Sequence, residues 1–201
     1  MQRFRFLWAR AVTSFDPADR ARVHNIRLAA QKLDGAVLAP GAVLSFNRRV
    51  GSRQAPGSPF SAAPVLTDKG RVRAPGGGVC QVASTLYAAL LHTDLQVVER
   101  HAHAVPVPYL APGLDATVSN VLDLQVRNPH PFALQIRTEA QARRLLVEIW
   151  GEKPLPTRVS LARHVSRCFR DGAPALQVTV WRLLGEGQRQ KMSEDVYYAG
   201  Q

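Results

Sequence analysis

Residues 74–87 read Ala74-Pro75-Gly76-Gly77-Gly78-Val79-Cys80-Gln81-Val82-Ala83-Ser84-Thr85-Leu86-Tyr87. Three consecutive glycines run into a cysteine, and an amphipathic helical pattern opens at that cysteine. Glycine allows positive φ and lets a second segment come close. The start of a helix presents unpaired N–H groups and the positive end of its dipole. A thiol held there ionises more readily than a free one, and the thiolate is its reactive form. The spacing predicts a helix from about Cys80 to Leu91, with Val82, Leu86, Ala89 and Leu90 on its buried face. A strand from Leu95 to Arg100 then leads into His101 and His103, and Asp115 follows a Pro112-Gly113 turn. Cysteine, histidine, aspartate is the order of a thiol triad.

Outward from this block, the chain alternates helix and strand signals. Asp16 and Pro17 predict an N-cap and first position for an earlier helix. Val23, Ile26, Ala30 and Leu33 share its face, and Gly35 ends it. After Pro40-Gly41, residues 42–47 read as a short strand. Residues 51–60 read as a loop. Ala63 to Thr67 reads as a strand turning at Lys69-Gly70. Asp115 opens a further strand, Ala116 to Ser119. From residue 121 the pattern is strands: Val121 to Val126, Phe132 to Arg137 and Leu145 to Trp150. Past a turn-rich junction at 151–156 come Arg158 to Arg163, Leu176 to Leu183 and Lys191 to Tyr198. The expected fold is α+β, with two principal helices packed on a mainly antiparallel sheet. The expected division is a core at 14–151 and a small β-rich extension at 152–201. Cysteine on a helix, then histidine and aspartate on successive strands, is analogous to the papain-like and transglutaminase-like core.

Composition narrows the partners. The formal net charge of +11 favours an anionic partner: nucleic acid, acidic lipid or an anionic wall polymer. The arginines are scattered, and no RNP-type motif, zinc finger or basic helix accompanies them, which argues against specific nucleic-acid binding. Cys80 and Cys168 are the only cysteines. Their separation argues against a disulfide framework, and no cysteine-knuckle spacing points to a metal. No cofactor motif is present. No apolar run approaches the roughly 18 residues of a membrane span. Arg5 and Arg10 interrupt the N-terminal stretch, so a signal peptide is not expected and the compartment stays open.

Several blocks resemble the VanW family. They are Asn25-Ile26 with Ala29-Ala30 and Leu33-Asp34-Gly35, Pro40-Gly41, Ser45-Phe46-Asn47, and Val50-Gly51 with Arg53. They continue with Gly76-Gly77-Gly78-Val79-Cys80-Gln81-Val82, Ser84-Thr85-Leu86-Tyr87 and Glu99-Arg100 with His103. Tyr109, Gly113 and Asp115-Ala116-Thr117-Val118 complete the set. The resemblance runs in family order from about residue 14 to residue 151. It departs at Ala83, where relatives often carry serine, and in the leader or anchor that many relatives carry. It implies an association with the cell envelope and with glycopeptide resistance. It also favours His103 over His101, because the family pattern keeps that position.

In the chemical reading, Cys80 is a nucleophile, His103 its base and Asp115 the group that orients the imidazole. The N–H of Cys80 and that of a neighbour would face a developing oxyanion. Gly76, Gly77, Gly78, Gln81, Ser84, Asn47 and Tyr109 would line the substrate site. The expected activity is cysteine-dependent acyl transfer or amide hydrolysis on a peptide-type wall substrate. The competing reading is a non-catalytic module that binds peptidoglycan or an anionic wall polymer. Each residue also has a framework reading. Cys80 suits a small buried hydrophobe, Asn47 a turn, Gln81 and Ser84 the exposed side of a helix, and Tyr109 a core wall. The sequence leaves these alternatives open.

Overall fold

The computed structural model describes residues 3–67 and 70–199, with side chains outside 66–71. Lys69 of the expected Lys69-Gly70 turn lies outside the described residues. Along the chain run β1 (Phe6–Ser14), α1 (Arg20–Leu33), β2 (Val37–Leu38), β3 (Val43–Ser45) and α2 (Phe46–Val50). Then come β4 (Ala62–Thr67), β5 (Gly70–Pro75), α3 (Val79–Leu91), β6 (Gln96–Glu99) and β7 (Gln125–Arg127). The chain continues through β8 (Leu134–Gln141), β9 (Arg144–Gly151), β10 (Val159–Arg170), β11 (Ala173–Leu184) and β12 (Gln188–Tyr198). The fold is α+β. A four-stranded antiparallel sheet has the order β1-β9-β8-β2, beside three-stranded sheets β3-β7-β6 and β10-β11-β12 and a β4-β5 hairpin.

Local chemistry moves several expected boundaries. α1 starts at Asp19, whose carboxylate accepts the Arg22 N–H at 3.0 Å. Asp16 instead spends its carboxylate on the Ala18 N–H at 2.9 Å, an Asx turn that places Pro17 before the helix. The strand expected over 42–47 stops at Ser45. The Ser45 hydroxyl accepts the Arg48 N–H at 3.1 Å and starts the short α2, so Asn47 is helical. β1 escapes the sequence pattern because a register shift between Leu7 and Ala9 breaks its alternation, leaving Trp8 and Ala9 both buried. It nevertheless forms an edge of the main sheet, paired with β9.

α3 lies at the centre of the molecule, against β1, β9 and α1. Every one of its residues is buried except Cys80. One-sided burial was the expectation. A helix apolar nearly all round is instead enclosed on all sides. Part of that enclosure comes from the C-terminal sheet. Its strands are longer than their apolar runs suggest, and Val178, Val180 and Tyr197 join the main core cluster. Arg182 of β11, only 1% exposed, sends its guanidinium to the end of α3. It donates to the Leu90 carbonyl at 3.2 Å and to the Leu95 carbonyl at 2.8 Å. A cation there meets the negative end of the helix dipole, adding to the bonds that Thr93 already makes to the Leu90 carbonyl.

Replacing Arg182 by Ala removes two charge-assisted bonds that tie β11 to the end of α3 and to Leu95, so unfolding in urea is expected to show a loss of about 2–4 kcal/mol. An unchanged midpoint would contradict that tie.

Candidate functional site

The three glycines each permit a different close approach. A Cβ on Gly76 (φ +87) would stand 2.6 Å from Arg53 Cδ. One on Gly77 would stand 2.6 Å from the Pro64 carbonyl oxygen. One on Gly78 (φ +104) would stand 2.9 Å from Ile26 Cγ1. The glycines therefore wedge the loop between α1, β4 and the Arg53 stem. Buried Asn25 holds it from behind, donating to the Gly77 carbonyl at 3.0 Å and exchanging two bonds with Ser61. Gly78 is the N-cap of α3, which puts Cys80 in the first turn. The neighbouring Val79 and Gln81 N–H groups turn back to the carbonyls of Gly76 and Gly78. The Cys80 N–H falls between them, where helix geometry supplies no acceptor.

His101 and His103 do not share a face, because the ladder of β6 ends at Glu99 and the chain beyond is irregular. His101 turns to Glu99, with Nε2 to Oε1 at 3.0 Å. His103 turns inward. Asp115 is likewise not on a paired strand. Residues 115–119 run extended along α3, held by the Thr117 N–H to His101 carbonyl bond of 2.8 Å. The expected placement of histidine and aspartate on successive strands is thus corrected: single backbone and side-chain bonds, not a ladder, position them.

The Asp115 carboxylate is fully buried. Its Oδ2 accepts His103 Nδ1 at 2.7 Å and the His103 N–H at 2.8 Å. Its Oδ1 accepts the Tyr197 hydroxyl at 2.5 Å and Arg100 Nη2 at 3.4 Å. With Nδ1 taken, Nε2 is the imidazole nitrogen left for Cys80. The ring stands opposite the thiol, near enough for each to shift the other's ionisation. In the resting geometry the sulfur's directed contact is to the Val118 carbonyl oxygen at 3.3 Å.

Burial alone would push the Cys80 thiol up. The hydrogen bonding and charge of His103, with help from the Arg53 guanidinium, outweigh it and hold the thiol below its usual value. Burial would lower His103, but Asp115 and Cys80 outweigh it and push the imidazole up to about 9. Burial would raise Asp115, yet His103 and Tyr197 hold it below the usual carboxylate range. The two groups shift in opposite directions, thiol down and imidazole up, and they titrate as a coupled pair.

Other expected site residues serve the frame. Gln81 is buried and faces away from the thiol. It donates to Thr13 Oγ1 at 3.0 Å and the Ser14 carbonyl at 2.9 Å, and accepts Arg22 Nη2 at 2.7 Å. Ser84 is buried and exchanges bonds of 2.9 and 3.0 Å with the Ala116 backbone, stitching α3 to the Asp115 segment. Neither lies on an exposed helix face. Asn47 donates to the Ser119 and Leu122 carbonyls at 2.9 and 2.8 Å and accepts Arg53 Nη1 at 3.1 Å. Its amide is fully used in pinning that loop. Tyr109 is half-buried beside the thiol, and burial together with the Cys80 charge raises its phenol.

Sequence reading gave no role to Arg53, Arg100, Asp195 or Tyr197. Arg100 donates to the Asp115 carbonyl at 2.7 Å and to Asp195 at 2.5 Å, with its guanidinium over the Tyr87 ring at 4.9 Å. The only advance signal was the place of Arg53 and Arg100 in the family blocks. Tyr197 lies outside those blocks. Two surface grooves lie elsewhere, one between β6 and β12 and one along the outer face of α1. Among the described residues no cluster of three or more ligating side chains is set to hold a metal ion. No helix among them is long and apolar enough to cross a membrane.

The His103 imidazole is expected to titrate near 9 in an NMR pH series. Its folded value lies above the unfolded value of about 6.5. The stability it contributes is therefore full below that pH and is lost as pH rises through about 9. Asp115→Asn should bring the ring's midpoint down and flatten that loss. A native ring titrating near 6.5 would contradict the geometry.

Comparison with known proteins places the chain in a family. The family model described as VanW like protein matches residues 21–150. YoaR of Bacillus subtilis is 34% identical over 149 residues, covering 74% of this chain and 49% of YoaR. The vancomycin B-type resistance protein VanW of Enterococcus faecalis is 30% identical over 138 residues, covering 66% of this chain and 50% of that protein. The chain thus spans about half the length of these curated relatives. No solved structure matches it. A helix-capping glycine run, the cysteine after it and the His103–Asp115 pair all fall inside the matched segment, and the chain belongs to the VanW-like protein family.

Proposed function

We propose that the chain catalyses acyl transfer or amide hydrolysis through a thioester on Cys80, on a peptide-type substrate of the cell wall. One observation carries the reading. The imidazole of His103 is bonded to a buried carboxylate and stands near enough to Cys80 for each to shift the other's ionisation, and Cys80 is the one residue of α3 that is only partly buried. The wall context comes from the relative named for vancomycin resistance.

In this mechanism the Cys80 thiolate attacks the substrate's amide carbonyl carbon, and a C–S bond forms. Negative charge moves to the carbonyl oxygen, where the Cys80 N–H at the helix start meets it. His103 gives its Nε2 proton to the departing amine as the C–N bond breaks. Asp115 keeps the ring oriented and steadies its charge. Water or an acceptor amine then attacks the thioester. His103 takes the proton from that nucleophile, the C–S bond breaks, and the thiolate returns.

A specific observation favours a second reading as a non-catalytic wall-binding module. The net charge is +11, and the outer groove of α1 is lined by Arg20, His24 and Arg27. Such a surface suits an anionic polymer.

At pH 7 Cys80 is expected to react with iodoacetamide about tenfold faster than a free cysteine, which is only a few per cent thiolate. The label is read at peptide resolution to separate it from Cys168. His103→Ala should erase that advantage. Incubation with purified wall peptides, followed by mass spectrometry, should show cleaved or transferred products that vanish in Cys80→Ala. Wall binding without turnover, unaffected by either substitution, would favour the module.

A further inference from the structure

Arg53 is a buried cation whose charge the protein leaves without a carboxylate partner. It is 7% exposed. Its one directed bond is Nη1 to Asn47 Oδ1 at 3.1 Å, a neutral acceptor. The ion pairs among the described residues do not include it. A guanidinium carries five N–H donors in a planar fork suited to a carboxylate. Its Nε and Nη2 donors are not sealed in the interior, so they stay open to a ligand.

The neighbourhood fixes the guanidinium in place. The Asp123 carboxylate is close enough to feel Arg53, but makes no ion pair with it among the described residues. Oδ1 accepts the Asn47 and Leu124 N–H groups at 2.8 Å each, and Oδ2 accepts the Ser45 hydroxyl at 2.5 Å. The Arg53 stem is fixed under Gly76, where any side chain would collide with it. Its head is fixed by Asn47, itself pinned by two carbonyls. This places a rigid fork at the positive end of α3, beside Cys80. Burial holds the Arg53 pKa below its ordinary value, and Cys80 is the first of the charges that offset it.

We propose that Arg53 is the anion receptor of the Cys80 site and takes a carboxylate of the substrate. Resting on the thiol reading above, this names the substrate class: a peptide with a free carboxylate close to the scissile carbonyl. Asn47 then acts as a positioning residue, holding the fork toward that carboxylate.

Two alkylating reagents of nearly the same shape test it. Iodoacetate carries a carboxylate and iodoacetamide does not. The rate ratio between them at Cys80 is compared with the ratio for N-acetylcysteinamide. The wild-type ratio is expected to be about tenfold higher than the model thiol's, the scale of one charge-assisted contact. Arg53→Gln should return it to the model value, and Arg53→Lys should keep part of it. The thiolate fraction cancels in the ratio. A weakly activated cysteine would therefore lower both rates, as His103→Ala does, without touching this result. A wild-type ratio equal to that of the model thiol overturns the proposal and needs no variant to fold. So does a ratio unchanged in Arg53→Gln whose circular dichroism and melting match the wild type.

Discussion

The buried carboxylate of Asp115 is the constraint on which the rest of the arrangement depends. A charge sealed from water must be met by donors or it unfolds the region around it. Four donors meet it: the backbone and ring nitrogens of His103, the Tyr197 hydroxyl and the Arg100 guanidinium. They come from two distant parts of the chain, residues 100–103 after β6 and Tyr197 in β12. Satisfying one carboxylate therefore fixes the exit of β6, the approach of β12 and the direction of the imidazole together. The His103 tautomer is a consequence of this geometry, since Nδ1 has no other role open to it.

The same logic explains why the C-terminal sheet belongs to the site. Arg182 meets α3 at one end of the helix, and the Cys80 thiol sits at the other. Tyr197 bonds both Asp115 and the Gly113 N–H, the latter at 2.7 Å. A Cβ on Gly113 would meet Val180 at 2.7 Å, so the turn before Asp115 is shaped on the surface of β11. The sheet that follows the family-matched segment thus shapes the turn, the carboxylate and the helix of the candidate site.

Cys80 owes its accessibility to the same packing. α3 is enclosed because the main sheet, α1 and the 115–119 segment close around it. At its first turn three glycines bring the preceding loop flat against its neighbours. Larger residues there would push the loop off α1 and β4. Burial and reactivity are reconciled at one residue: a core helix with a single polarised atom at its edge.

The amino-acid order by itself determined the helix beginning beside Cys80, the glycine run before it and the strand-rich second half. These follow from local rules, glycine's conformational freedom and helical and alternating periodicity, whereas the preference for His103 over His101 came from the family resemblance. Local rules also misjudged the start of α1, where two aspartates competed for the cap, and β1, where a bulge hid the alternation. They assigned Gln81, Ser84 and Asn47 to the substrate, whereas tertiary packing spends those side chains on the frame. Only the three-dimensional structure decided that Arg53 stands beside the thiol and that Arg100 and Tyr197 grip Asp115. Those contacts join residues separated by 15 to 97 positions, and no pattern along the chain encodes which distant donor a buried charge will find.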